Sequence, residues 1–273
     1  MGIYADLHMH TFCSDGTLSP REIVDEGISN GLKAIAITDH DCVDAIDTAI
    51  KHADGKLQIV PSIELSCIYQ KQDIHILGHF IDHKNSILLK EIEAFKKSRF
   101  NRAEEMAFNL KNKMGIEIDF KKIKNQSDSG TLGRPHIAKA LIEVGACETM
   151  QEAFENLLYP GSPIYVPKFE LSPKRAFELV LNAGGIPVWA HPYYNKNDDF
   201  LKVFITEGLK GIEVYHPSHP DNIRDRYYNL AVRNKLVISG GSDFHSFDSN
   251  RAVGSLGINK QEFDELQKLA ETR

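Results

Sequence analysis

The chain opens on Ile3-Tyr4-Ala5-Asp6-Leu7-His8-Met9-His10, an apolar, strand-like run that ends in two histidines. Two residues apart on a strand, both rings point to the same face. The same punctuation recurs down the chain. Thr38-Asp39-His40 closes the run from Ala34, and Ile63-Glu64-Leu65 closes the run from Gln58. Ala190-His191-Pro192 follows the run from Gly185, and Gly241-Ser242-Asp243-Phe244-His245 follows the run from Leu236. His75 starts a run that reaches Phe80, and Asp15 lies in the loop Ser14-Asp15-Gly16. Each signature alone has a plain structural explanation, since aspartate beside glycine forms turns and Thr-Asp-His can start a helix. Together, six imidazoles and three carboxylates at the ends of apolar runs are ligand chemistry for several divalent cations.

The spacing predicts strands over Ile3–Leu7, Ala34–Thr38, Gln58–Leu65, Ile74–Phe80, Gly185–Ala190, Gly211–Tyr215 and Leu236–Ser239. Helices are predicted over Pro20–Gly31, Cys42–Ala53, Ser172–Ala183, Asp221–Asn234 and Lys260–Thr272. The first and third follow serine-proline starts, Ser19-Pro20 and Ser172-Pro173. Strands alternating with helices of this length predict βα units and a mostly parallel sheet, hence an α/β fold. In a parallel barrel the strand ends share one rim, which carries the active site. His8, His10, His40, His191, Asp243 and His245 fall on that rim. His75 starts its strand, but Cys67 to Asp73 is too short for a parallel crossover. A hairpin is expected instead, and it brings His75 beside Glu64.

The segment 88–167 breaks the rhythm and is read as a helical insertion over the barrel mouth, a substrate cap between core segments 1–87 and 168–273. Its helical patterns are Leu88–Met114, Gly133–Val144 and Thr149–Leu158. Gly133-Arg134-Pro135-His136 opens one of them, where an arginine and a helix N-terminus can bind phosphate. Arg134 and His136 are therefore candidate substrate contacts, as is His219 in the loop after the Gly211–Tyr215 run. Arg99 and Arg102 read as a solvated charged face. His79 lies about 13 Å from His75 along a strand, too far to share its ligand role. His52 and His83 read as surface residues, and Trp189 as core.

The chain has 273 residues, 42% of them hydrophobic, which is ample for one large core. No apolar run of about 18 residues could span a membrane. Neither a signal nor a transit segment is read at the N-terminus. Cys13, Cys42, Cys67 and Cys147 show no ligand or disulfide spacing, so a reducing, cytoplasmic setting is expected. A net charge of −6 without basic clusters argues against stable binding to duplex DNA.

The order H-x-H, D-G-T, T-D-H, a glutamate, then histidines and G-S-D-x-H resembles the PHP (polymerase and histidinol phosphatase) family over the whole chain. The resemblance implies a distorted (β/α)7 barrel with a centre of two to three divalent ions, Mn, Fe or Zn. It implies one metal on His8, His10, Glu64 and Asp243, and a second on Glu64, His75 and His191. A third would take Asp15, His40 and His245. Asp15, where some PHP proteins carry histidine, and the G-R-P-H-I-A string both resemble the branch of 3',5'-nucleotide bisphosphate phosphatases and RNase AM-like exoribonucleases. The expected activity is therefore hydrolysis of nucleotide phosphate esters, either 3',5'-bisphosphates or the 5' ends of short RNA. The attack would come from a metal-bound hydroxide, with no side chain assigned as general acid. The alternatives are a histidinol-phosphate phosphatase and a non-catalytic metal-binding module.

Overall fold

The computed structural model describes residues 2–126, 132–167, 171–247 and 251–272. The expected boundary between cap and core at residues 167 and 168 falls partly on residues 168–170, outside the described residues. The strands lie in two sheets. In the first, β1 (Ala5–Asp6), β2 (Ala34–Ile35) and β3 (Gln58–Ile59) pair in parallel, with α1 (Pro20–Ser29) and α2 (Ile46–Ala53) as crossovers. In the second, β4 (Ser62–Tyr69) and β5 (Gln72–His79) form an antiparallel hairpin. Its turn residues Gln70 and Lys71 both have positive φ, 48° and 65°, as a two-residue hairpin turn requires.

The insertion follows with α3 (Ser86–Met114), α4 (Phe120–Gln126), α5 (Arg134–Glu143) and α6 (Met150–Asn156). Beyond α7 (Pro173–Asn182), strand β6 (Ile186–Trp189) pairs antiparallel with β5. A short helical turn, Pro192–Asn195, and α8 (Phe200–Glu207) lead to β7 (Gly211–Tyr215). Then come α9 (Asp221–Asn234), β8 (Val237–Gly240) and α10 (Lys260–Glu271), with β6, β7 and β8 parallel.

No continuous ladder closes the two sheets into one barrel among the described residues. Isolated bridges link their edges instead, Met9 to Phe244 and His40 to Glu64. Several expected strands are shorter than their apolar runs, because the chain leaves regular β geometry where the ligand-type residues begin. Asp41, His191 and Asp243 all have positive φ, at 50°, 29° and 49°. Such strain in non-glycine residues concentrates at functional sites.

Local chemistry explains most helix starts. Ser19 and Glu22 form a reciprocal capping box ahead of α1, with Pro20 in its first turn. Ser172 caps α7 by accepting from the Arg175 amide. Helix α2 begins at Ile46, not at the expected Cys42. Asp41 is committed elsewhere: it accepts from the Ser66 amide at 2.9 Å and pairs with Arg99, so it cannot act as a cap.

The helix α3 joins two hydrophobic clusters. Leu88, Ile92 and Phe95 pack with the strands of the main core. Ala103, Met106 and Leu110 pack with Ile137, Leu141 and Leu158 of the insertion.

Candidate metal centre

Six histidines and three carboxylates converge where the strands end. Glu64, 1% exposed, is at their middle. Its Oε1 lies 2.9 Å from His75 Nδ1 and 3.1 Å from His191 Nε2. Its Oε2 lies 3.3 Å from His8 Nε2, 3.1 Å from His10 Nε2 and 3.2 Å from His40 Nδ1. The hairpin makes this possible: Ser66 pairs with His75, which sets His75 diagonally opposite Glu64 on one face.

Asp243 closes another side. Its Oδ1 lies 3.5 Å from His8 Nε2, 3.4 Å from His10 Nε2 and 3.6 Å from His245 Nδ1. Asp15 Oδ1 lies 3.4 Å from His245 Nε2 and Oδ2 lies 3.8 Å from His40 Nε2. Asp39 holds the Asp15 loop in place by accepting from the Thr11 amide, the Thr11 hydroxyl and the Ser14 hydroxyl, each at 2.7 Å. Gly16 lets that loop fold back: a Cβ there would stand 2.3 Å from the His10 carbonyl oxygen. Gly241 does the same for the Asp243 segment, where a Cβ would meet the His8 backbone at 2.4 Å.

All nine expected residues are thus brought together. The sets His10-Asp15-His40-His245, His8-His10-Asp243, His8-Glu64-His191 and His40-Glu64-His75 each offer ligand atoms within 4.8 Å of one another. Their chemistry fits divalent cations. His10 Nε2 and His40 Nδ1 are buried and aimed at the cluster, yet make no hydrogen bond. Burial works to raise Glu64 and Asp243, but the surrounding imidazoles hold both well below the ordinary carboxylate range. His40 is pushed down to about 3, first by burial and then by neighbouring His10 and His75. His10 is raised to about 10 despite burial, because the carboxylates of Asp243 and Glu64 stand beside it. The imidazoles compete for protons around shared carboxylates, which is the electrostatic setting a cation relieves.

Two further buried residues, Glu213 of β7 and His216 of the loop after it, belong to the site. Glu213, fully buried, accepts from His8 Nδ1 at 2.8 Å and from the His191 amide at 2.7 Å. Against burial, His8 and His216 pull it down to about 2. His216 Nε2 lies 3.1 Å from Asp243 Oδ2, which also pairs with Arg251. The signal available in sequence was a single carboxylate inside the apolar run Gly211–Tyr215.

A cavity of about 220 Å3 opens beside the cluster. Asp15, His40 and His75 line it together with Arg99, Arg102, Arg134 and His136. The expectation that Arg99 and Arg102 form a solvated face is therefore corrected. Arg99 turns inward to Asp41 and donates to Ser66 Oγ at 2.9 Å. Arg102 donates to the Val166 carbonyl at 2.7 Å. Burial, then Arg134 and Arg99, lower its pKa to about 10. Arg134 donates to the Leu158 carbonyl at 3.2 Å, and its guanidinium lies over Phe154. His136 accepts from the Gly133 amide at 3.1 Å.

His219 does not join these residues. It is 1% exposed and does not line the cavity, and its Nδ1 donates to the Val214 carbonyl at 2.8 Å. His79 also stands apart, between Ser62 and Ser239, as expected. Trp189 is fully buried, as expected for core.

The PHP domain family matches residues 6–183. The chain belongs to that family. The chain is 31% identical over 257 residues to the 3',5'-nucleoside bisphosphate phosphatase of Chromobacterium violaceum, covering 91% of this chain and 90% of that protein. It is also 31% identical over 248 residues to the 5'-3' exoribonuclease Rnm of Escherichia coli K12, covering 88% and 84%. Among solved structures, a protein of Bifidobacterium adolescentis classed with the metal-dependent phosphoesterases superposes with a TM-score of 0.88. The two are 29% identical, with 97% of this chain and 96% of that one covered. The resemblance read from H-x-H and G-S-D-x-H is thus borne out, and the fold is the mixed α/β fold of PHP phosphoesterases.

Proposed function

We propose that this PHP protein is a metal-dependent phosphoesterase of nucleotides, acting on 3',5'-nucleotide bisphosphates, on the 5' ends of short RNA, or on both. One observation carries this reading: the cluster opens directly into a cavity lined by Arg99, Arg102 and Arg134. A substrate with one phosphate at the cluster and a second anionic group nearby matches that pairing of sites. The relatives named above act on such molecules.

In this reading His8, His10, Glu64 and Asp243 hold one ion, and Glu64, His75 and His191 a second. Asp15, His40 and His245 hold a third. Mixed imidazole and carboxylate ligands suit Mn, Fe or Zn. Bound, such ions supply Lewis-acid charge and activate water near neutral pH. The chain's own residues do the rest. Arg134 and His136 bind the second phosphate, with Arg134 as a bidentate donor. Arg99 and Arg102 add positive charge, and Asp41 fixes Arg99 in place.

We read the two sheets as a distorted (β/α)7 barrel, on the strength of the bridges between their edges. Residues 1–87 and 168–273 then form its core and 88–167 the cap, supported by the separate apolar cluster of the insertion. The four cysteines are buried and form no disulfide, which supports a reducing, cytoplasmic setting. No helix among the described residues is long and apolar enough to cross a membrane.

A substrate panel with added Mn tests the proposal: phosphate release from 3',5'-bisphosphoadenosine and from histidinol phosphate, and mononucleotide release from a short 5'-phosphorylated RNA. Turnover of the bisphosphate, the RNA or both is expected. Turnover of histidinol phosphate alone overturns the substrate assignment.

A further inference from the structure

Resting on the nucleotide phosphoesterase proposal, we infer that Tyr194 is a stacking platform for the substrate's nucleobase, placed on a different side of the centre from the arginine cavity. The arginine cavity accounts for anionic groups only, and a nucleotide also presents a flat, apolar base. Tyr194 is 52% exposed, although its ring centroid lies only 5.1 Å from that of His191 and 5.8 Å from that of His216. It is absent from the lining of the arginine cavity.

The ring is held where it is. Its hydroxyl accepts from Arg251 Nη2 at 3.3 Å, and the same guanidinium pairs with Asp243. The turn Pro192–Asn195 that carries it is braced from below. Asn195, buried, accepts from Trp189 Nε1 at 3.2 Å and donates to the Asp73 carbonyl at 2.6 Å. Left-handed Lys196, at φ 52°, ends the turn. A half-exposed aromatic ring on a braced turn offers a flat surface whose ordering cost is already met.

Stacking is tolerant of base identity, because every base has a π face. The platform therefore selects nucleosides over other phosphate esters without choosing among bases.

The test compares 3',5'-bisphosphoadenosine with ribose 3,5-bisphosphate, which lacks the base, in the wild type, Tyr194→Ala and Tyr194→Phe. Tyr194→Ala is expected to raise KM for the base-bearing substrate by about 5- to 150-fold, the range of one base stack. Its preference for that substrate over the abasic one should shrink by the same factor. Tyr194→Phe keeps the ring and should keep the preference, which separates stacking from the hydroxyl's contact with Arg251. Calorimetric binding of adenosine 5'-monophosphate should weaken in parallel in Tyr194→Ala alone. An unchanged preference in Tyr194→Ala, or an equal KM rise for both substrates, overturns the platform and leaves the phosphoesterase reading intact. Absence of turnover in the wild type overturns both.

Discussion

Glu213 and His8 are joined by a fully buried hydrogen bond of 2.8 Å between Oε1 and Nδ1. The carboxylate only accepts, so Nδ1 carries a proton there, which leaves Nε2 as the ring nitrogen that would meet a cation. The other oxygen accepts from the His191 amide, where the backbone is strained at φ 29°. One side chain thereby orients two candidate ligands. Such outer partners of a metal-bound histidine fix its tautomer and raise its basicity.

Glu213→Gln follows directly as a test. Glutamine has one acceptor and one NH2 group, so one of the two donors loses its partner. Affinity for Mn is expected to fall by about 10- to 100-fold, read by titration calorimetry on chelator-stripped protein. An unchanged affinity contradicts the orienting role.

Asp243→Asn removes a charge that faces His8, His10 and His245 on one oxygen and His216 and Arg251 on the other. Phosphate release is expected to drop by about 100-fold or more. Circular dichroism should still report a folded α/β protein. Retained turnover would take Asp243 out of the centre.

Arg134→Ala should raise KM for bisphosphate substrates by about 10- to 100-fold, the worth of a charge-assisted hydrogen bond. Substrates with one phosphate should be affected less. Initial-rate kinetics on matched mono- and bisphosphates check this, and equal losses on both would move the second phosphate elsewhere.

Stability should carry a signature of His79. Ser62 Oγ donates to the Val60 carbonyl and so accepts from His79 Nδ1, while Nε2 accepts from Ser239 Oγ. The ring is thus held neutral, and burial pushes its pKa down to about 3. The unfolded chain takes up this proton near pH 6.5, the folded protein only near pH 3. The contribution is therefore complete above pH 6.5 and lost as pH falls towards 3. Urea unfolding of metal-free protein at pH 7 and pH 5 should show a smaller pH effect in His79→Gln than in the wild type. Equal effects would contradict the neutral, buried state.

Much of the site was legible because two patterns coincide: imidazole or carboxylate identity, and position at the boundary of an apolar run. Glu64 and His75 needed only the length of the turn between them. Glu213 was not legible, because one carboxylate inside Gly-Ile-Glu-Val-Tyr reads as an ordinary strand residue until its partners, 205 positions away at His8, are placed. Arg99 failed for the same reason. On α3 alone it belongs to a charged face, and only the hairpin's Ser66 and the loop's Asp41 turn it inward.

The start of α2 and the existence of α8 were missed on different grounds. Asp41 had the right chemistry for a cap, but two tertiary partners outcompete the helix for it. Helix α8 follows Asp198-Asp199 and is only eight residues long, too short for its period to stand out. The continuous barrel sheet failed locally. The chain bends out of the ladder at Asp41, His191 and Asp243 to present side chains, leaving isolated bridges where long strands were expected.

The central claim is that the nine-residue cluster binds divalent metal and uses it to hydrolyse nucleotide phosphate esters. Its most direct test is a single preparation stripped by chelator, then assayed for phosphate release from 3',5'-bisphosphoadenosine as Mn is titrated back. Release is predicted to be absent in the stripped protein and to rise with the first two to three equivalents bound. Release that persists without metal, or metal binding that brings none, would contradict the account.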